Sequence, residues 1–177
     1  MIILLIILIL KNCKGYLNNW YPIVPISTTN FKNPRQIRIL GKDLVLWKKG
    51  KEFVIQNDVC PHRCAPLSEG YIDKTSNNIR CSYHGWEFNE KGKCEIIPQL
   101  EENIKINEKK SCVKTYKTQI YGDLLWVYMG DKDIDKYPYD LYNIQEGDVY
   151  TRDLPYGLHI LLENFFDPAH IPFAHHK

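Results

Sequence analysis

Cys60-Pro61-His62-Arg63-Cys64-Ala65 and, with eighteen residues between His62 and Cys81, Cys81-Ser82-Tyr83-His84-Gly85-Trp86 decide how the rest of this chain is read. Each segment offers one thiol and one imidazole, both of them metal ligands. Structural zinc sites usually draw paired cysteines from one knuckle and paired histidines from a helix, whereas here each segment supplies one of each. That division suits a two-iron, two-sulfide cluster in which one iron takes both thiolates and the other both imidazoles. Replacing two anionic ligands by neutral ones raises the reduction potential to about −150 to +300 mV, well above an all-cysteine ferredoxin. The bland alternative is two buried thiols beside two unrelated surface histidines. Four matched positions oppose it, as do Pro61, which stiffens the first loop, and Gly85, which permits positive φ just after the second histidine. Trp86 and Phe88 offer apolar cover that limits water near the inner iron.

Outward from these loops the composition is globular: 177 residues, 44% hydrophobic, 25% charged and 12% aromatic, enough for one domain and part of another. Basic and acidic residues, 23 and 21, are interspersed to a net charge of +2, which gives no case for nucleic acid. Six cysteines are too few for a disulfide scaffold, and Cys13, Cys64, Cys94 and Cys112 fall outside the ligand pattern. Met1–Leu10 is wholly apolar, yet a membrane-spanning helix needs about 20 such residues. It lacks a basic n-region ahead of it and a small-residue cleavage site. An anchor remnant, a short membrane-associated stub and a misplaced start all remain open.

Past an apolar stub and linker over 1–19, short strands alternate with turn residues. Trp20–Pro25 reads as extended, Ile37–Leu40 as a strand, and Leu44–Lys48 with Phe53–Gln56 as a hairpin around Lys49-Gly50-Lys51. Phe88–Glu90 and Cys94–Ile97 form a second hairpin, and Ser111–Thr118 and Leu124–Met129 pair through Tyr121-Gly122-Asp123. The pattern predicts a mostly β domain over 20–130, a small antiparallel sandwich carrying two ligand loops. A polar, tyrosine-rich linker follows over 131–153. From 154 to 177 the apolar spacing turns helical, with Pro168 and Pro172 expected to kink or restart the helix, as the opening of an incomplete α+β domain.

The segments CPHRCAPLSEG and CSYHGWEFNEKGKC, with Ile97-Pro98-Gln99, resemble the Rieske domain of Rieske non-haem iron oxygenases. The likeness is to the plant and cyanobacterial group that holds pheophorbide a oxygenase, chlorophyllide a oxygenase and the Rieske protein of the plastid translocon. It covers about residues 18–177. It implies a [2Fe–2S] cluster on Cys60, His62, Cys81 and His84. Some respiratory Rieske proteins clip the two loops with a disulfide. Cys64 has no counterpart near His84, where Ser82 and Tyr83 stand, so it is read as a loop thiol.

The resemblance extends to Asp167-Pro168-Ala169-His170 and the following Ile171–His176, which match the family's D-x-x-H-x4-H motif for a mononuclear Fe2+. It implies His170 and His175 as iron ligands, with His176 the alternative to His175. The family's third ligand is a carboxylate further along than Lys177, so the triad is not completed by these residues. By resemblance Asp167 is a catalytic bridge that relays electrons to the iron from a cluster histidine of a neighbouring subunit. Asp followed by Pro is equally a helix N-cap, and both roles can coexist. Asn164 either lines the site or is solvated, and His159 is read as structural or exposed.

The resemblance therefore implies an enzyme that takes electrons from NAD(P)H through a ferredoxin or reductase. With O2 it oxidises an organic substrate, a chlorin such as pheophorbide, in chlorophyll breakdown. It also implies a homotrimer at full length, and a plastid membrane or stromal location. Two other readings stay open: a Rieske electron-transfer protein without a working oxygenase site, and a membrane-associated redox sensor.

Overall fold

The computed structural model describes residues 18–101, 103–131 and 154–174. The apolar stub with Cys13, nearly all of the 131–153 linker, and His175 and His176 lie outside the described residues. Among the described residues, eleven strands make three antiparallel sheets. The first orders β1 (Trp20–Pro25), β11 (Leu124–Tyr128) and β10 (Thr118–Tyr121). The second orders β2 (Arg35–Ile39), β3 (Lys42–Lys49), β4 (Glu52–Asn57) and β9 (Thr115–Tyr116). The third orders β5 (Tyr71–Ile72), β6 (Ile79–Arg80), β7 (Glu87–Phe88) and β8 (Cys94–Ile96).

Strand β3 explains the layering. Successive side chains of a strand point to opposite faces, and Leu44-Val45-Leu46-Trp47 is apolar throughout, so both faces have to be covered. Leu44 and Leu46 join Val24, Ile55, Leu125 and Val127 in one core. Val45 and Trp47 join Val54, Leu67, Ile79 and Phe88 in another, which also contains Cys60 and Cys81. The second sheet is thus the shared middle layer, and the ligand cysteines belong to the core between it and the third sheet.

The β3–β4 hairpin forms as the sequence predicts, turning at Gly50-Lys51 with Gly50 at φ 60°. Strand β2 ends one residue early, because Leu40 adopts φ 50° in the turn before β3. The single strand expected over Ser111–Thr118 is a correction. Only Thr115–Tyr116 pairs with β4, and after Lys117 the chain crosses to the first sheet as β10. Two-residue strands β5 and β6 carry no periodic signal and escape a sequence reading. The C-terminal stretch forms helix α1 (Leu158–Phe166), a 3-10 turn (Pro168–His170) and the short helix α2 (Ile171–Ala174). Pro168 restarts the helix as expected, while Pro172 sits in the first turn of α2 and breaks nothing. Among the described residues no helix is long and apolar enough to cross a membrane.

Candidate metal centre

The two ligand loops are built alike. In the first, Cys60 N–H donates to the Ala65 carbonyl at 2.8 Å, and the Cys60 carbonyl accepts from Cys64 N–H at 2.9 Å. In the second, Cys81 N–H donates to the Trp86 carbonyl at 2.9 Å, and the Cys81 carbonyl accepts from Gly85 N–H at 3.0 Å. Each loop therefore closes on itself four and five residues after its cysteine. The closing residue has positive φ in both, 57° at Cys64 and 74° at Gly85. Glycine announces that turn in the sequence; a cysteine in the same conformation does not. Cys64 is exposed and unbridged, as expected of a loop thiol.

The four predicted ligands come together as two pairs. Cys60 and Cys81, each 2% exposed, lie against one another. Burial, reinforced by Cys81, pushes the Cys60 thiol up to about 12. The His62 and His84 rings meet at 4.5 Å between centroids. A pair of thiols and a pair of imidazoles is the donor set a two-metal cluster takes.

His62 carries the sharpest mark of a missing partner. Its Nδ1 is buried and has no hydrogen-bond partner among the described residues. Such an atom costs free energy unless something binds it. Burial first, then the neighbouring His84 and Arg63, lower its pKa and keep the imidazole neutral, the form that ligates metal. Trp86 stacks flat on the ring, at 4.7 Å and 6°, and fixes its plane. The apolar cover expected of Trp86 therefore falls on the imidazole side, while Phe88, fully buried, lies in the core with both thiols. These residues fit a [2Fe–2S] cluster.

Two supports were not legible as such. Asp58 accepts from Ser68 N–H at 2.7 Å and Ser68 Oγ at 2.6 Å, tying the two sides of the first loop together. Gln99 Nε2 donates to the His84 carbonyl at 3.0 Å, and Pro98 packs where a Cβ on Gly85 would lie 3.1 Å away. Ile97-Pro98-Gln99, a family likeness in the sequence, is thus a strap across the second loop.

At the other candidate site Asp167 Oδ1 accepts from Ala169 N–H at 3.1 Å with Pro168 next in line, which is the N-cap geometry expected. His170 Nδ1 hydrogen-bonds the Asp167 carbonyl. That bond assigns the proton to Nδ1 and makes Nε2 the nitrogen with the lone pair. Asp167 and His170 therefore share one turn, while His175 lies outside the described residues. Asn164 and His159 are exposed, and the Asn164 carbonyl accepts from Asp167 N–H at 3.3 Å.

The model of the Rieske [2Fe-2S] domain family matches residues 19–117. The chain is 39% identical over 165 residues to Protein TIC 55, chloroplastic, of Pisum sativum, covering 89% of this chain and 29% of that one. It is 38% identical over 175 residues to pheophorbide a oxygenase, chloroplastic, of Oryza sativa subsp. japonica, covering 90% and 33%. A crystal structure of dicamba monooxygenase with non-heme iron and dicamba superposes with TM-score 0.60 at 28% identity, over 70% of this chain and 37% of that one. The chain thus spans about a third of the length of the curated relatives it matches.

Proposed function

This chain belongs to the Rieske [2Fe-2S] domain family, and from that premise we propose that it is the electron-accepting part of a Rieske non-haem iron oxygenase. Cys60 and Cys81 would hold one iron of the cluster, and His62 and His84 the other. His170 and His175 would hold a mononuclear Fe2+. When bound, the cluster supplies one-electron transfer and the ferrous iron supplies O2 activation. The observation that carries this reading is the buried, partnerless Nδ1 of His62 beside the paired thiols.

The protein's own residues do the rest. Burial of Cys60 and Cys81 excludes water from the thiolate side. Trp86 holds the His62 ring, and Gln99 with Pro98 steadies the backbone at His84. Asp167 orders the turn that presents His170, and its carbonyl fixes the imidazole tautomer. As a carboxylate Asp167 is also suited to bridge to a cluster histidine of a neighbouring subunit in a homotrimer. Electrons would come from NAD(P)H by way of a ferredoxin or reductase. The chloroplastic relatives favour a plastid location, and pheophorbide a oxygenase among them favours a chlorin substrate.

The test is a single turnover of the pre-reduced protein carrying the complete catalytic domain, with O2 and pheophorbide a. Cluster oxidation is followed together with product. We expect His170→Ala and His175→Ala to abolish product while leaving the cluster's EPR signal intact. Normal turnover in both variants would remove the oxygenase assignment and leave an electron-transfer protein.

A further inference from the structure

Arg80 and Glu87 oppose one another across β6 and β7, and the next residues inward are Cys81 and Trp86. Their ion pair is therefore the last rung before the second ligand loop closes on itself. The exit of the first loop rests on the same rung. A Cβ on Gly70 would lie 2.2 Å from the Arg80 carbonyl oxygen, so only glycine passes there. One cross-strand pair underlies both halves of the ligand set.

Glu87 is fully buried. Its Oε2 accepts from Arg80 Nε at 3.0 Å and from Arg80 Nη2, and its Oε1 accepts from Asn78 Nδ2 at 3.1 Å. Burial opposes its charge, but hydrogen bonds from Ser76, Arg80 and Asn78 outweigh burial and hold the carboxyl below its usual range. Asp73 lies 3.3 Å from Arg80 on the other side. Lys49 completes the group, reaching Asn78 at 2.7 Å and Glu90 at 2.6 Å. A carboxylate is thus kept ionised and out of water one rung from the second ligand loop, held by a guanidinium that Asp73 also contacts. Stability alone does not call for this, since buried ion pairs are often replaced by apolar residues without loss.

We propose that Arg80 and Glu87 are positioning residues whose balanced charge sets the reduction potential of the cluster. The proposal rests on the cluster reading above. A two-iron, two-sulfide cluster with two thiolates and two neutral imidazoles is uncharged when both irons are ferric. It becomes an anion when one electron reduces one iron, with no proton required. A carboxylate nearby disfavours that electron and a guanidinium favours it, more strongly at a buried site than in water.

EPR-monitored redox titration of this chain reads the effect without any turnover. Glu87→Gln removes the carboxylate and leaves Arg80, so the potential should rise, by about ten-fold in the reduction equilibrium or about 59 mV for a one-electron couple. Glu87→Asp keeps the charge and should stay near the wild-type potential. The double variant Arg80→Gln/Glu87→Gln removes both charges and should return towards it. A wild-type potential in Glu87→Gln overturns the proposal. If Glu87→Gln fails to hold the cluster, the double variant decides: a cluster at the wild-type potential supports charge balance, and loss of the cluster overturns it. A wild-type chain without iron and sulfide would instead sink the cluster reading itself.

Discussion

Cys64 and Gly85 hold equivalent places in the two ligand loops and pay differently for the same backbone. Positive φ costs an L residue roughly 1–2 kcal/mol that glycine is spared. Gly85 is also the place where Pro98 approaches, so a Cβ there meets both strain and contact. We therefore expect Gly85→Ala to destabilise the metal-free chain by about 1–2 kcal/mol in urea unfolding. Cys64→Gly should be neutral or stabilising by up to about 1 kcal/mol and should keep full cluster occupancy. Equal losses in the two variants would show that the loops are not built alike. The ligands themselves were readable because Cys-x-His and Cys-x-x-His are chemistry written in a short span. Cys64's conformation, the Asp58–Ser68 tie and the Arg80–Glu87 rung were not. They depend on which backbones meet, and no local pattern records that.

At the scale of elements, what the sequence shows is set by length. The eight-residue β3 and six-residue β4 announce themselves by an apolar run around a glycine turn, and they stand as expected. The two-residue strands β5 and β6 are too short for periodicity, yet β6 leads directly into the second ligand loop. The break at Lys117 was hidden for another reason: Thr115–Tyr116 and Thr118–Tyr121 both favour strand, and only tertiary pairing sends them to different sheets. Asp167 makes a test possible at this scale. As an N-cap it is replaceable by Asn, since an amide oxygen accepts the same bond from Ala169. Hydrogen exchange over 167–174 should be unchanged in Asp167→Asn and faster in Asp167→Ala, by the equivalent of about 1 kcal/mol. If Asp167→Asn frays the turn as Ala does, the charge rather than the cap holds it. In protein with the complete catalytic domain, the bridging role proposed for Asp167 predicts slower cluster oxidation in Asp167→Asn, because the amide lacks the charge.

Across the whole molecule, the three-layer β body and the C-terminal helices differ in how far they are self-sufficient. The β body encloses two cores and a ligand set whose four side chains are all present. Helix α1 and the residues after it expose Leu158, Phe165, Phe166 and Phe173, each at least 70% accessible, an apolar surface typical of segments that pack against further structure. The cluster assignment accordingly stands on this chain alone, and it is the claim on which the oxygenase reading and the charge-balance proposal both depend. Iron and acid-labile sulfide analysis of the purified chain, with EPR of the dithionite-reduced protein, tests it most directly. Two irons and two sulfides per chain, with a rhombic signal that disappears in Cys60→Ser and Cys81→Ser, is the predicted result. One zinc, no sulfide and no signal on reduction would contradict it.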